Sequence, residues 1–234
     1  YLAERLDAER TPHQGPLPSG ERTQERQAIY ISKRGELAER ARALDRMADA
    51  GREEDGAQEL GALLGYPSCC VEAFSSLPRR WPNRYPIEAA IARTGVFEPR
   101  LNNVALDRFA WIAWFPCRYD CERSLVIAEA AAEALKAQMP EAVKRADEAL
   151  GRPRLYIDDR HQAELMECSG RPEEIHFEEV RPLSRDTGED AKSPWDALRR
   201  ADRLEFKTGT LRFYRDGKPI PFDKAPLFLP FGLR

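Results

Sequence analysis

Apolar positions recur at helical spacing through most of the first 150 residues. From Gly35 onward, Leu37, Ala41, Leu44 and Ala48 repeat every three or four positions until a glycine at position 51, which is a typical helix stop. The same spacing predicts further helices over six segments: Glu53–Leu64, 69–74, Ile87–Arg93, Leu101–Trp114, Cys121–Gln138 and Pro140–Gly151. The segment that ends at Trp114 is apolar nearly all round at its end, so we expect that helix to be central.

After residue 151 the pattern changes to short runs with alternating apolar residues. These runs predict strands over Leu155–Ile157 and Ile175–Val180, and two more within Arg203–Arg215. Asp216-Gly217 is a strong hairpin signal, because both residues tolerate the positive φ of a tight turn. The tail Pro226–Leu233 is predicted to pack as an irregular apolar strap.

This order of elements predicts an α+β protein. We expect a helical N-terminal cysteine-bearing domain followed by a small, mostly antiparallel β-rich C-terminal domain. The predicted boundaries are a polar arm over residues 1–30, a helical cysteine or metal domain over 31–151, and a small α+β domain over 152–234. The arm is punctuated by proline and glycine, so we expect it to be flexible unless other residues hold it.

Four of the five cysteines fall in two short motifs, each a proline-containing turn before a predicted helix. The motifs are Gly-Tyr-Pro-Ser-Cys-Cys, ending at residue 70, and Pro-Cys-Arg-Tyr-Asp-Cys, ending at residue 121. Ser68 and Asp120 are predicted to cap the two helices. A helix N-terminus carries partial positive charge and unpaired N–H groups, which favour thiolates and anionic metal centres. The motifs therefore predict one metal centre, held by Cys69, Cys70, Cys117 and Cys121.

The spacing of these cysteines favours an iron–sulfur cluster, most simply a [4Fe–4S] cluster. Adjacent cysteines in regular structure are poorly placed to meet on one small ion, whereas a cluster offers several metal corners. Zinc, which prefers ligands two to four residues apart, is the alternative. Packing alone, a disulfide across the motifs and a thiol–disulfide redox pair are further alternatives.

The two motifs resemble those of a family of uncharacterised prokaryotic proteins that share Gly-Tyr-Pro-x-Cys-Cys and Pro-Cys-x-x-x-Cys signatures. The likeness runs from Leu64 to Glu129, about a quarter of the chain. The resemblance implies that the four cysteines act as a unit. It implies no activity and does not extend to the β-rich half.

Two other groups of residues are candidates for binding. Cys168 could be an additional ligand or a redox thiol, although a lone cysteine is more often a small core residue. Arg79, Arg80 and Arg84 are interleaved with aromatic residues and, with Arg118, could bind an anionic substrate, a nucleotide, a coenzyme or RNA. Solvated arginines beside a proline-rich turn are the commoner structure.

Composition narrows the function classes. The chain has 234 residues, 33% of them charged, and 37 basic residues against 40 acidic ones give a net charge of -3. This balance provides no general argument for binding nucleic acid or an anionic membrane. An odd number of cysteines and no evident leader favour a cytoplasmic protein over a secreted disulfide scaffold.

We expect an iron–sulfur enzyme, because the second domain exceeds what a small electron carrier needs. With four cysteine ligands the simple role is redox, and with three the open iron would be a Lewis acid. The expected partner is a small molecule or a redox protein. The alternative is a zinc-stabilised binding module whose β-rich half carries partner binding.

Overall fold

The computed structural model describes residues 10–13, 26–30, 32–49, 53–77, 84–104, 109–158, 161–183, 195–207 and 210–233. The chain divides into two compact units, residues 1–76 and 77–234. The described residues contain six α-helices in the N-terminal part and two larger sheets in the C-terminal part. Every strand pair among them is antiparallel, so the α+β prediction is confirmed. The domain boundaries after residues 30 and 151 stay a prediction.

The described residues of the first unit form one strand pair and three helices. Strands β1 (Arg10–His13) and β2 (Arg26–Ile29) pair within the segment predicted as an arm. The helices are α1 (Gly35–Asp49), α2 (Glu53–Leu63) and α3 (Ser68–Ser75), close to their predicted bounds.

Two glycines of α2 allow its neighbours to approach closely. A Cβ atom on Gly56 would lie 3.1 Å from the Leu44 side chain of α1. A Cβ atom on Gly61 would lie 2.6 Å from a methyl carbon of Val71 in α3. Because real Cβ contacts are not that short, a glycine at position 61 is needed for α3, which carries two of the cysteines, to pack at this distance.

In the part of the chain that the structure describes, the second unit begins with three helices. They are α4 (Arg84–Ile91), α5 (Glu122–Lys136) and α6 (Pro140–Leu150). A 3-10 turn, Pro99–Leu101, lies between α4 and α5. Among the described helices of the chain, none is long and apolar enough to cross a membrane.

The helix predicted over Leu101–Trp114 is wrong. In the described part of that range, residues after the 3-10 turn form irregular structure. The Asn102 side chain donates to the Leu150 carbonyl at 2.9 Å, and Asn103 donates to the Trp114 carbonyl at the same distance. Asparagine side chains that bind backbone groups compete with helix formation. The apolar pattern arose because Trp111 and a neighbouring isoleucine are buried.

Among the described residues, nine strands form the β-rich part. They are β3 (Arg154–Tyr156), β4 (Gln162–Met166), β5 (Ser169–Arg171), β6 (Glu174–His176), β7 (Glu179–Pro182), β8 (Arg203–Lys207), β9 (Thr210–Arg215), β10 (Lys218–Ile220) and β11 (Leu227–Leu229). One sheet has the order β10-β9-β8-β6-β5 and the other β11-β3-β4-β7. Leu155 and Leu165 of the smaller sheet share a hydrophobic core with Ile175, Leu204 and Phe213 of the larger.

The predicted hairpin is present, whereas the predicted tail and one predicted strand differ from the structure. Asp216 and Gly217 have φ of 50° and 75° and connect β9 to β10, which confirms the predicted hairpin. The tail is more regular than predicted, because its residues 227–229 pair with β3. The run Ile175–Val180 contains parts of two strands, which belong to different sheets.

The other face of the smaller sheet carries a buried ion pair. Arg154 and Glu164 are cross-strand neighbours, and Arg154 Nη2 lies 2.9 Å from Glu164 Oε1. Their side chains are 3% and 2% exposed. The same nitrogen donates to the Ala149 carbonyl, and Arg152 contacts the second carboxylate oxygen at 3.3 Å. Charged side chains are buried only when paired in this way.

Candidate metal centre

The first cysteine motif is a helix stop followed at once by a helix start. Gly65 ends α2 with φ 76°, and the N–H of Tyr66 donates to the Gly61 carbonyl at 2.9 Å. The N–H of Gly65 donates to the Ala62 carbonyl, which completes a Schellman motif. Pro67 then redirects the chain into α3. The predicted proline-containing turn before a helix is therefore confirmed for this motif.

Cys69 and Cys70 lie in the first turn of α3. Pro67 occupies the N-cap, and its carbonyl accepts the N–H of Cys70 at 2.9 Å. The prediction that Ser68 caps this helix is wrong by one residue, because Ser68 is already helical. The positive end of the helix dipole favours negative charge in this first turn.

The second motif forms a turn that leads into α5. The N–H of Cys121 donates to the Arg118 carbonyl at 3.2 Å, and the Cys121 carbonyl accepts the N–H of Leu125 at 2.9 Å. Cys121 itself occupies the N-cap of α5. Cys117 lies four residues earlier, before the turn.

Asp120 holds this turn in a way that the sequence did not predict. Its Oδ2 atom accepts the N–H groups of Gly95 and Val96 at 3.0 and 3.2 Å. Its Oδ1 atom lies 2.7 Å from Arg118 Nε. The predicted helix cap at Asp120 is therefore wrong, since the carboxylate binds a neighbouring loop and Cys121 is the cap residue.

Tyr119 anchors the middle of the same turn. Its side chain is fully buried and contacts the rings of Phe97 and Phe231 at centroid distances of 5.6 and 5.2 Å. Its backbone N–H donates to Thr94 Oγ1 at 2.8 Å, and its hydroxyl donates to Asn103 Oδ1 at 3.4 Å. Burial raises the pKa of Tyr119, because the charged phenolate loses its hydration.

A second hydrogen-bond chain supports the segment before Cys117. Trp111 Nε1 donates to Asp147 Oδ1 at 3.0 Å, and the other oxygen of Asp147 pairs with Arg100 at 2.8 Å. Trp114 Nε1 donates to Ser124 Oγ, inside α5, at 3.1 Å. These bonds fix the irregular segment on both sides, so the cysteine turn starts from a defined position.

The four predicted cysteines come together. The sulfur atoms of Cys69, Cys70, Cys117 and Cys121 all lie within 4.8 Å of one another, and this group could hold a metal ion. The prediction that the two motifs meet is confirmed. Cys70 and Cys121 are buried, at 2% and 5% exposure, whereas Cys69 and Cys117 are half-buried.

The fifth cysteine does not join this group. Cys168 lies outside it, half-buried against the hydrophobic core of the β-rich part. Burial and the nearby Glu167 carboxylate raise the pKa of the Cys168 thiol to about 11. A thiol of that pKa is almost wholly protonated near neutral pH, so it is a weak nucleophile.

The arginines have structural partners where the structure describes them. Arg84 pairs with Glu88 at 3.0 Å and donates to the Ile157 carbonyl at 3.2 Å. Arg118 forms the ion pair with Asp120 described above. Arg79 and Arg80 lie outside the described residues. Anion binding by these arginines stays a prediction.

No protein-family model matches this sequence, and comparison with curated proteins and with solved structures finds no match. The resemblance of the two motifs to the prokaryotic family stays a prediction. Function is therefore inferred from the site alone.

Proposed function

We propose that Cys69, Cys70, Cys117 and Cys121 bind one metal centre through four thiolates. The observation that carries this proposal is the mutual approach of four sulfur atoms to within 4.8 Å. Four thiolates at such distances repel one another, and a cation removes that repulsion. A set of four sulfurs is typical of zinc or of iron in sulfur coordination.

The sulfur separations support a single tetrahedral ion as the occupant. With zinc–sulfur bonds of about 2.3 Å, the sulfurs of a tetrahedral site lie about 3.8 Å apart. The four cysteines need to close by no more than about 1 Å from the observed limit of 4.8 Å. In a [4Fe–4S] cluster each cysteine binds a different iron, so the sulfurs lie roughly 6 Å apart. A cluster would require the cysteines to separate.

Two adjacent cysteines do lie near the second pair in this protein. Cys69 and Cys70 both lie in the regular helix α3, yet both sulfurs approach those of Cys117 and Cys121. Side chains of the first helical turn lean toward the N-terminal end of the helix, because every Cα–Cβ bond of a helix is tilted that way.

A site with four protein ligands leaves no coordination position for a substrate. Such closed sites contribute folding free energy and do not activate a bound substrate. We therefore infer a metal-stabilised binding module, in which the centre holds the cysteine motifs and the β-rich part carries partner binding.

An iron–sulfur protein is the second candidate. The half-exposed positions of Cys69 and Cys117 favour it, because electron transfer or substrate binding requires an accessible edge. In that case the centre would supply redox or Lewis-acid chemistry. A small molecule or a redox protein would then be the partner.

Metal analysis of protein purified without oxygen distinguishes the candidates. The single-ion proposal predicts colourless protein with one zinc per chain and no acid-labile sulfide. Iron, sulfide and a broad visible band would support the cluster. Protein that holds neither metal, even after reconstitution, would contradict both. Cys121→Ser should lose the metal, and Cys168→Ser is the matched control that should retain it.

A further inference from the structure

The four cysteines differ in their access to solvent. Cys70 and Cys121 are buried, at 2% and 5% exposure, while Cys69 and Cys117 are half-buried. Small oxidants therefore have more access to Cys69 and Cys117 than to Cys70 and Cys121. Susceptibility of cysteines to oxidation follows their thiolate character and their exposure.

Resting on the metal centre proposed above, we infer that Cys69 and Cys117 form a peroxide-sensitive switch that releases the metal. Loss of two of four thiolate ligands leaves the metal with only two protein ligands. Binding of the metal and oxidation of the two half-buried cysteines are thus mutually exclusive states of the same side chains.

The reaction balances with hydrogen peroxide as the oxidant. The thiolate of either Cys69 or Cys117 attacks a peroxide oxygen, forms a sulfenic acid and releases hydroxide. The second thiolate attacks the sulfenic sulfur, forms the disulfide and releases the second hydroxide. Two electrons pass from the two sulfurs to the peroxide, and the divalent cation leaves to solution.

The choice of this pair follows from geometry. Cys69 and Cys70 are adjacent in a helix, so their Cα atoms lie about 3.8 Å apart, below the range of about 4.4–6.8 Å in ordinary disulfides. Every pair other than Cys69 and Cys117 includes one of the two buried cysteines. The sulfurs of Cys69 and Cys117 lie within 4.8 Å, so a small movement brings them to bonding distance.

The fifth cysteine provides an internal control. Cys168 lies outside the sulfur group and is half-buried against the β-rich core. Its thiol stays protonated near neutral pH, for the reason given above, and should react slowly with peroxide. Cys168→Ser should therefore leave the switch unchanged.

The test uses full-length protein loaded with zinc, whose metal content is measured before peroxide is added. Equimolar hydrogen peroxide should release zinc in step with a disulfide that peptide mass mapping assigns to Cys69 and Cys117. A thiol reductant and fresh zinc should restore the starting state. Cys168→Ser should release zinc at the same rate as the unaltered protein.

Three results would overturn this inference. They are zinc retained after peroxide treatment, a first disulfide that includes Cys70 or Cys121, and release accompanied only by irreversible sulfinic acid. In each case the initial zinc content would still support the proposed metal centre. Protein that takes up no metal before peroxide is added would instead refute the proposed function, and the switch with it.

Discussion

Replacing Asp120 with alanine removes the carboxylate that ties the second cysteine turn to its neighbouring loop. The carboxylate is 17% exposed and accepts two backbone N–H groups, from Gly95 and Val96, at 3.0 and 3.2 Å. It also pairs with Arg118 at 2.7 Å. Because Cys121 follows directly, we expect Asp120→Ala to weaken both the fold and the metal centre.

The expected loss in the free energy of unfolding follows from these contacts. Hydrogen bonds to a charged acceptor contribute about 1.5–3 kcal/mol each. Gly95 and Val96 are exposed, so water replaces part of the lost interaction and the lower end applies. The half-exposed Arg118 adds at most about 1 kcal/mol. We therefore expect Asp120→Ala to lower the free energy of unfolding by about 3 kcal/mol.

Urea denaturation of metal-saturated protein measures this loss as a shift of the midpoint at constant slope. Asp120→Asn keeps an oxygen acceptor and should recover about half of the loss. Competition with a chelator should show metal affinity about 10–100-fold weaker in Asp120→Ala, as for other residues that orient ligands.

The matched control is Asp223→Ala, because Asp223 is 86% exposed and its nearest cation, Lys224, lies 3.9 Å away. We expect its free energy of unfolding to change by less than about 0.5 kcal/mol. Equal urea midpoints for Asp120→Ala and this control would refute the structural role of Asp120. A free-energy loss in Asp120→Asn as large as that in Asp120→Ala would refute it too.

Three further predictions concern other parts of the second unit. Glu164→Gln leaves the buried Arg154 cation without its counter-charge, so the free energy of unfolding measured in urea should fall by about 3 kcal/mol. A loss below about 1 kcal/mol would contradict this. The raised pKa of Cys168 keeps its thiol protonated in the folded state, whereas the unfolded chain loses this proton more readily. The free energy of unfolding should therefore fall as the pH rises from 9.0 to about 11. Measured against Cys168→Ser, that loss should be about 1 kcal/mol after allowance for solvent screening, and identical pH profiles would contradict it. Gly232→Ala and Gly217→Ala both place a side chain at positive φ, but only at 232 would the new Cβ collide with a backbone carbonyl oxygen. The thermal midpoint should therefore fall much further for Gly232→Ala, and equal shifts would show that the close approach is unimportant.

The boundaries of the first cysteine motif could be predicted because local chemistry determines them. Gly65 adopts the positive φ that ends a helix, and Pro67 supplies a fixed φ that starts the next. The hairpin at Asp216-Gly217 was predictable for the same reason. Such features depend on a few neighbouring residues and need no knowledge of the tertiary structure.

Features that depend on distant residues could not be predicted. Trp111 and its neighbours are apolar because they are buried, and a buried irregular segment resembles a buried helix in its pattern. Arg154 and Glu164 have the composition of an exposed surface, yet cross-strand pairing buries them together. The partners of Asp120 lie 24 and 25 residues away, so no local pattern shows that it binds them.

The candidate site was predicted in part. Four cysteines at two predicted helix starts pointed to a shared metal centre, and their sulfurs do come together. The choice between one ion and a cluster depends on sulfur separations of a few ångströms. Separations on that scale depend on tertiary structure, so cysteine spacing along the chain does not determine them.

X-ray absorption at the metal edge of the full-length, metal-loaded protein tests the central claim most directly. Four cysteine ligands on one ion predict a first shell of four sulfur atoms at about 2.3 Å and no neighbouring metal. A second metal atom in the next shell would contradict the single-ion centre in favour of a cluster. A first shell dominated by nitrogen or oxygen would contradict the assignment of the four cysteines as ligands.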